Sequence, residues 1–212
     1  MSEEAASRAG TLALVGNDLA LNFANTSSGR GTAQHLEHLR EAAHVLLWAR
    51  HAGVLRPDDH DRLAGMIAGD PAFAGRLLTS ARDLREAIHA TAAELARGGE
   101  PDAAVLARLT SSYGACVARG RLGRSGDRYV FRWSLTEAPV EFVLGPIALS
   151  ALMLLTMRDL SRVKQCQGGN ACGWVFLDVS KNGSRRWCEM EVCGNRSKQR
   201  RLAARRHGGR AE

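Results

Sequence analysis

Four of the five cysteines in the chain, Cys166, Cys172, Cys188 and Cys193, fall within 28 residues, and a run of cations begins three residues after the last. No other feature limits the fold so sharply. Two short cysteine pairs on either side of a longer loop have the number and spacing of ligands in a closed tetrahedral zinc site, which builds structure and leaves no position for a reacting water. The thiols alone leave other uses open, namely a secreted disulfide framework, iron held by four sulfurs, or free thiols. The first eight residues, Met1 to Arg8, contain neither a basic n-region nor an apolar h-region, so a cytoplasmic chain with reduced cysteines is expected.

The net charge of +7 is gathered beside these thiols. From Ser161 to Glu212 there are 12 Lys and Arg against 4 Asp and Glu, whereas the first 160 residues carry 17 against 18. A cationic element stiffened by a metal suits a polyanion, DNA before RNA. The blander alternative is a solvated, disordered basic tail. At 212 residues the chain can hold one medium domain and a small appendage. The expected division is a helical domain with a short β-hairpin over 1–160 and a small cysteine-rich domain over 161–212. The longest weakly polar stretch, Phe142 to Met157, is broken by Gly145, Pro146 and Ser150 and falls short of the ~20 residues that span a bilayer, so no membrane segment is expected.

Hydrophobic periodicity predicts a mainly α protein. Leu12 to Asn25 has helical spacing, and Gln34 to Ala52 repeats apolar residues at Leu36, Leu39, Ala43, Leu46 and Leu47 before Gly53. Pro57-Asp58-Asp59 reads as a helix start, and Ala74 to Arg97 and Pro101 to Arg119 carry further apolar stripes. Tyr129 to Leu135 alternates with the two-residue period of a strand, for which Val140 to Leu144 is the expected partner. Pro146 to Val163 returns to helical spacing.

Within the cysteine segment, Trp174 to Val179 has strand character, and Asn182-Gly183 favours a tight turn from which Ser184 to Cys188 returns as a second strand carrying Arg185 and Arg186. Trp174 and Trp187 are expected to shield the metal. Gly194 reads as a turn and Asn195 as the N-cap of a helix over Arg196 to Arg206, whose Arg and Lys lie on most faces. Such a helix has little to bury and cannot be a core helix.

The runs Cys172-Gly173-Trp174-Val175-Phe176-Leu177-Asp178, Arg185-Arg186-Trp187-Cys188-Glu189-Met190 and Cys193-Gly194-Asn195-Arg196-Ser197-Lys198 closely resemble the CGNR zinc-finger family. Leu19-Ala20-Leu21-Asn22-Phe23-Ala24-Asn25-Thr26, with Leu46-Leu47-Trp48-Ala49, resembles the amino-terminal ABATE domain that accompanies this finger in bacteria. The resemblance implies a treble-clef-like finger of knuckle, β-hairpin and helix. It also implies zinc on Cys166, Cys172, Cys188 and Cys193, a role in stress-responsive transcription regulation, and DNA as the finger's partner. The five-residue gap after Cys166 is one residue longer than the family's usual loop.

Several residues are candidates beyond the thiols. Arg185, Arg186, Arg196, Lys198, Arg200, Arg201 and Arg205 are the expected nucleic-acid contacts. Asp18, Asn22 and Asn25 share a helical face near Trp48, where they would either line a pocket for a small-molecule effector or form a satisfied polar network that orients the helix. His35, His38 and Glu41 read as wet helix neighbours more than as a metal site, and Cys116 as a core thiol. The apolar helix over Phe142 to Met157 could support a homodimer.

Three classes of function follow. The first is a zinc-dependent DNA-binding regulator whose helical domain dimerises or senses a ligand. The second is an RNA binder, for which Trp174 and Trp187 would stack bases if exposed. An enzyme acting in the amino-terminal pocket is the third, but no Ser-His-Asp, phosphate-loop or open-metal signature is present, so no catalysis is expected.

Overall fold

The computed structural model describes the backbone of residues 7–208 and the side chains of residues 7–203. The fold is mainly α with small antiparallel hairpins. After a 3-10 turn at Ala9–Thr11 the chain runs without regular structure, and bends at residues 16–18, before α1 (Leu19–Ala24). The helix predicted from Leu12 is therefore shorter, for a local reason. Asn17 adopts a left-handed φ of 57°, and the Asp18 carboxylate caps the helix by accepting from the Ala20 and Leu21 N–H groups.

Strands β1 (Ser27–Ser28) and β2 (Leu36–Glu37) pair antiparallel, and α2 (Ala42–His51) follows. The helix predicted over Gln34 to Ala52 loses its first two turns because Glu37 is claimed elsewhere. Its carboxylate accepts end-on from the two amino groups of the buried Arg85 guanidinium at 2.6 and 2.7 Å, and an extended backbone delivers it there. Helices α3 (Pro57–Gly69), α4 (Pro71–Ala96) and α5 (Ala103–Arg119) begin at Pro57, at Pro71 behind the Asp70 cap, and behind the Asp102 cap. The long α4 is the central post. It buries Phe73, Leu77, Ala81, Leu84 and Ile88 and touches α1, α2, α3, α5 and the helix that follows the hairpin.

The hairpin consists of β3 (Arg121–Ser125) and β4 (Arg128–Arg132), turning at Gly126-Asp127. This corrects the expected pairing of Tyr129–Leu135 with Val140–Leu144. The latter residues belong to α6 (Pro139–Met157), where Val143 and Leu144 are buried. Trp133 lies so close over Gly145 that any side chain there would strike its indole, and its Nε1–H donates to Cys116 O at 2.6 Å. By length and composition α6 could cross a membrane, with a mean hydropathy of 2.0, yet it packs against α1, α4 and α5 as a core helix does.

A 3-10 turn (Leu160–Arg162) leads into β5 (Val163–Gln165), which pairs antiparallel with β6 (Val175–Leu177). A π-helical turn (Met190–Gly194) then runs straight into α7 (Asn195–Gly208). One hydrophobic core joins Phe23, Trp48 and Leu77 to Val163, Val175, Phe176 and Leu177, so it continues unbroken past residues 160 and 161.

Candidate metal centre

Cys166 follows β5, and its N–H donates to Trp174 O at 2.8 Å, which closes residues 167–173 into a knuckle. Cys172 turns back through its own N–H to Gly169 O at 3.0 Å. The longer loop fits because Gly168 occupies its tightest point. A Cβ there would sit 3.0 Å from the Cys193 sulfur and 3.2 Å from that of Cys166. The second pair arrives differently. Cys188 N–H donates to the Cys166 sulfur at 3.2 Å, and Cys193 lies inside the π-helical turn, its N–H on Glu189 O.

The four sulfurs are buried and lie within 4.8 Å of one another, with Cys172 to Cys188 and Cys188 to Cys193 each at 3.6 Å. Four sulfurs at 2.3 Å from a tetrahedral zinc would be about 3.8 Å apart. The cluster has the size, burial and soft donors that such an ion requires, and all four cysteines are reduced. Hydrogen bonds from the Cys172 and Cys188 thiols, with the Cys188 N–H, hold Cys166 below the ordinary thiol range. Their proximity to Cys166 pushes Cys172 and Cys188 up, and burial does the same for Cys193. A divalent cation at their centre would reverse that penalty and hold all four as thiolates.

Asp178 organises the next turn. Its buried carboxylate accepts from Lys164 Nζ at 2.7 Å, from the Ser180 hydroxyl and N–H, and from the Arg185 N–H. Burial pushes this acid up, but Lys164, Ser180 and Arg185 more than offset it and hold the carboxyl well below the usual range. Residues 184–188 form no strand, which corrects the expected second hairpin. The pair that exists, β5–β6, brackets the first two cysteines. β6 is drawn to β5 because Val175 and Phe176 are fully buried against the helices, a tertiary demand that no local turn reveals.

The cations divide by surroundings. Arg185 is an internal pin, with its guanidinium 4.2 Å over the Phe176 ring and donating to the carbonyls of Val15, Trp187 and Cys188. Its expected outward role is corrected accordingly. Arg200 reaches back from α7 to Gly168 O, tying the helix to the knuckle. Arg186 is exposed, bonded to Gln167 at 2.8 Å and stacked on Trp187, and Arg196, Lys198 and Arg201 face solvent. The Arg205 side chain lies outside the described residues. Asn195 does not cap α7, because the helical backbone already runs through it from the π turn, and Gly194 is covered by Met190 instead of turning the chain.

Of the residues expected to line a pocket, Asp18, Asn22 and Asn25 are hydrogen-bonded to the backbone and to Ser150, whereas the buried Trp48 Nε1–H has no partner among the described residues. Asp18 caps α1 and accepts from Ser150 Oγ at 3.0 Å, Asn22 accepts from the Gly16 N–H, and Trp48 is fully buried against Phe23 with ring centroids 4.8 Å apart. Asn25 does more. Its amide grips both backbone groups of Val175, accepting from the N–H and donating to the carbonyl, each at 2.9 Å. It is one tooth of a seam in which residues 16–32 run opposite residues 177–170. Gly16 O accepts from Leu177 N–H, Ser28 Oγ from Trp174 Nε1–H, and Gly29 N–H donates to Cys172 O. Asn25 was a candidate for a pocket or a polar network but not for this seam, and Asp178 and Gly168 were not legible as site residues, although Asp178 before Ser180 carries the signal of an Asx turn. His38 is buried while Glu41 is exposed and paired with His44, and among the described residues only the cysteines gather as ligands.

Two family models match the chain. The CGNR zinc finger covers residues 162–206, and the ABATE model, described as "Putative stress-induced transcription regulator", covers residues 17–158. No curated protein matches it. With two thirds of its length in the second match, the chain belongs to the ABATE family and carries a CGNR zinc finger, whose four cysteines are those of the cluster.

Proposed function

We propose that the chain is a cytoplasmic, zinc-dependent DNA-binding transcription regulator, in which the finger contacts the duplex and the helical body dimerises or senses a ligand. The observation that carries this reading is α7. It is rich in cations and has almost nothing apolar to bury, and among the described residues it packs chiefly against the π turn that bears Cys193 and is tied to the knuckle by Arg200. A helix of this length is marginal alone, so a metal under its first turn supplies its order. Arg186, Arg196, Lys198 and Arg201 are then offered outward, where arginine suits phosphates and guanine edges.

The RNA reading loses one of its two stacking surfaces, since Trp174 is buried with its indole N–H on Ser28, and the other, half-buried Trp187, already has Arg186 over its ring. The centre is structural and not catalytic in this reading, because sulfur occupies all four positions around a tetrahedral ion. Exposed Met153 and Met157 on α6 offer the body a surface for self-association. Fluorescence anisotropy of a labelled duplex over a salt series tests the proposal. Four phosphate contacts give a log-log slope of about −3.6. A salt-insensitive affinity would sink it.

A further inference from the structure

The β3–β4 hairpin lies far along the chain from the finger and carries a charge that the near-neutral average of the first 160 residues conceals. Between Arg119 and Arg132 there are five arginines and one acid, Asp127. Every strand residue except Gly123 is exposed. The register puts Leu122, Arg124, Tyr129 and Phe131 on one face and Arg121, Gly123, Arg128, Val130 and Arg132 on the other.

The base of this ribbon is rooted. Phe131 sits over Gly120 and meets Trp133 edge-on at 5.3 Å, and Trp133 is anchored to α5 and α6. Among the described residues no acid comes closer than 4.0 Å to an arginine of its cationic face. Arg121 and Arg132 stand directly opposite each other, a like-charge pairing that costs stability in a sheet. Asp127 comes no nearer than 4.0 Å to Arg128, with both side chains almost fully in water, so that pair offsets little. Arg121 uses one amino group on the Ala118 and Gly120 carbonyls, which steadies the side chain without neutralising it.

We infer that this hairpin is a second duplex-DNA contact, with its Arg121, Arg128 and Arg132 face set against phosphates lining the major groove. The inference rests on the reading of the chain as a DNA-binding protein. A two-stranded ribbon fits the B-form major groove, about 12 Å wide, whereas the deep, narrow major groove of A-form RNA excludes it. Gly123 lies between the arginines, and its missing side chain lets the Arg132 guanidinium lie across that face, with Nε 3.4 Å from where a Cβ would stand. Phosphates would also relieve the Arg121–Arg132 repulsion, which the protein alone leaves standing.

The test compares three forms of the zinc-loaded full chain by anisotropy on a mixed-sequence duplex over a salt series. They are the wild type, the triple hairpin variant Arg121→Gln, Arg128→Gln and Arg132→Gln, and the finger variant Arg196→Gln, Lys198→Gln and Arg201→Gln. The hairpin variant is expected to bind about tenfold or more weakly, with a slope shallower by about 2.7 for three phosphates. Its zinc content is expected to hold and its thermal midpoint to stay or rise, since the like-charge pair is gone. Lysines at the three positions restore the slope. Wild-type affinity and slope in the hairpin variant, with weakened binding in the finger variant, overturns the hairpin inference and spares the DNA reading. Failure of the wild type to bind duplex overturns both. A dimer that becomes monomeric on Leu122→Ser with Tyr129→Ser, while the arginine variant binds normally, assigns the ribbon to a second copy of the chain and also overturns the inference.

Discussion

The helical body and the cysteine finger are ordered by opposite means. The body buries Phe23, Leu46, Trp48, Leu63, Leu77 and Ile147 completely, and α4 braces them all along its length. In the finger, buried apolar side chains end with Leu177, and from Val179 to Ala203 the buried residues are Cys188, Cys193 and Gly194. Burial of apolar area, at ~25 cal/mol per Å², sustains the body without help. Past Asp178 the chain holds its shape through four sulfurs, one carboxylate and a few arginine bonds, so its order is conditional on the metal. That conditional part is also where the cations face outward.

The largest effect should come from removing the clasp. Zinc binding in finger-sized peptides is worth roughly 10–16 kcal/mol. Chelation or Cys172→Ser is therefore expected to strip amide protection from residues 185–203 in hydrogen exchange while α4 keeps its own. Equal loss in α4 would show that the two regions are one cooperative unit, and the contrast drawn above would break.

The next largest effect lies where the regions are bolted together. Asn25→Ala leaves the Val175 N–H and carbonyl unpaired in the core, which should cost about 3 kcal/mol in urea unfolding at 1–3 kcal/mol for each group. A cost within experimental error would mean that the seam follows from the packing and does not secure it.

Acid sharpens the comparison from the side of the body. Burial, helped by the nearby Arg8, lowers His38 to about 4, so folding favours the neutral ring. Its contribution is complete above the unfolded value of about 6.5 and is lost as pH falls toward 4, roughly 2 kcal/mol by pH 5. Burial lowers His89 to about 4 as well, so zinc-free protein, in which metal release plays no part, should show both losses in α-helix unfolding, and His38→Gln should remove one of them and leave that of His89.

Smallest and most specific is the split between neighbouring arginines. Arg186→Gln should make the salt slope shallower by about 0.9 and leave stability alone. Arg185→Gln should weaken folding through the lost carbonyl and Phe176 contacts. Equal behaviour of the two would contradict their assigned places.

The same contrast explains what was legible in the sequence. The ligands could be found because metal chemistry demands few residue types at short spacings, α3 because Pro57 marks its start locally, and α4 and α5 because their apolar stripes repeat at helical spacing, while the starts at Pro71 and Ala103 behind Asp70 and Asp102 came only with the structure. Strand pairing was hidden where it is non-local. β6 takes β5 as its partner because of burial against α1 and α4, and β3, reading Arg-Leu-Gly-Arg-Ser, lacks the apolar alternation that would announce a strand. The Gly126-Asp127 turn did carry a signal. Arg185 looked like its neighbour because sequence records charge and not what the guanidinium touches, and Asn25 meets its partner only across 150 residues.

The most direct test of the metal-conditioned cationic helix is duplex affinity at one salt concentration, measured on the zinc-loaded chain, after chelation, and after zinc is restored. Loss of binding on chelation and recovery with about one zinc per chain is the expected result. Undiminished affinity in the zinc-free protein would contradict the account.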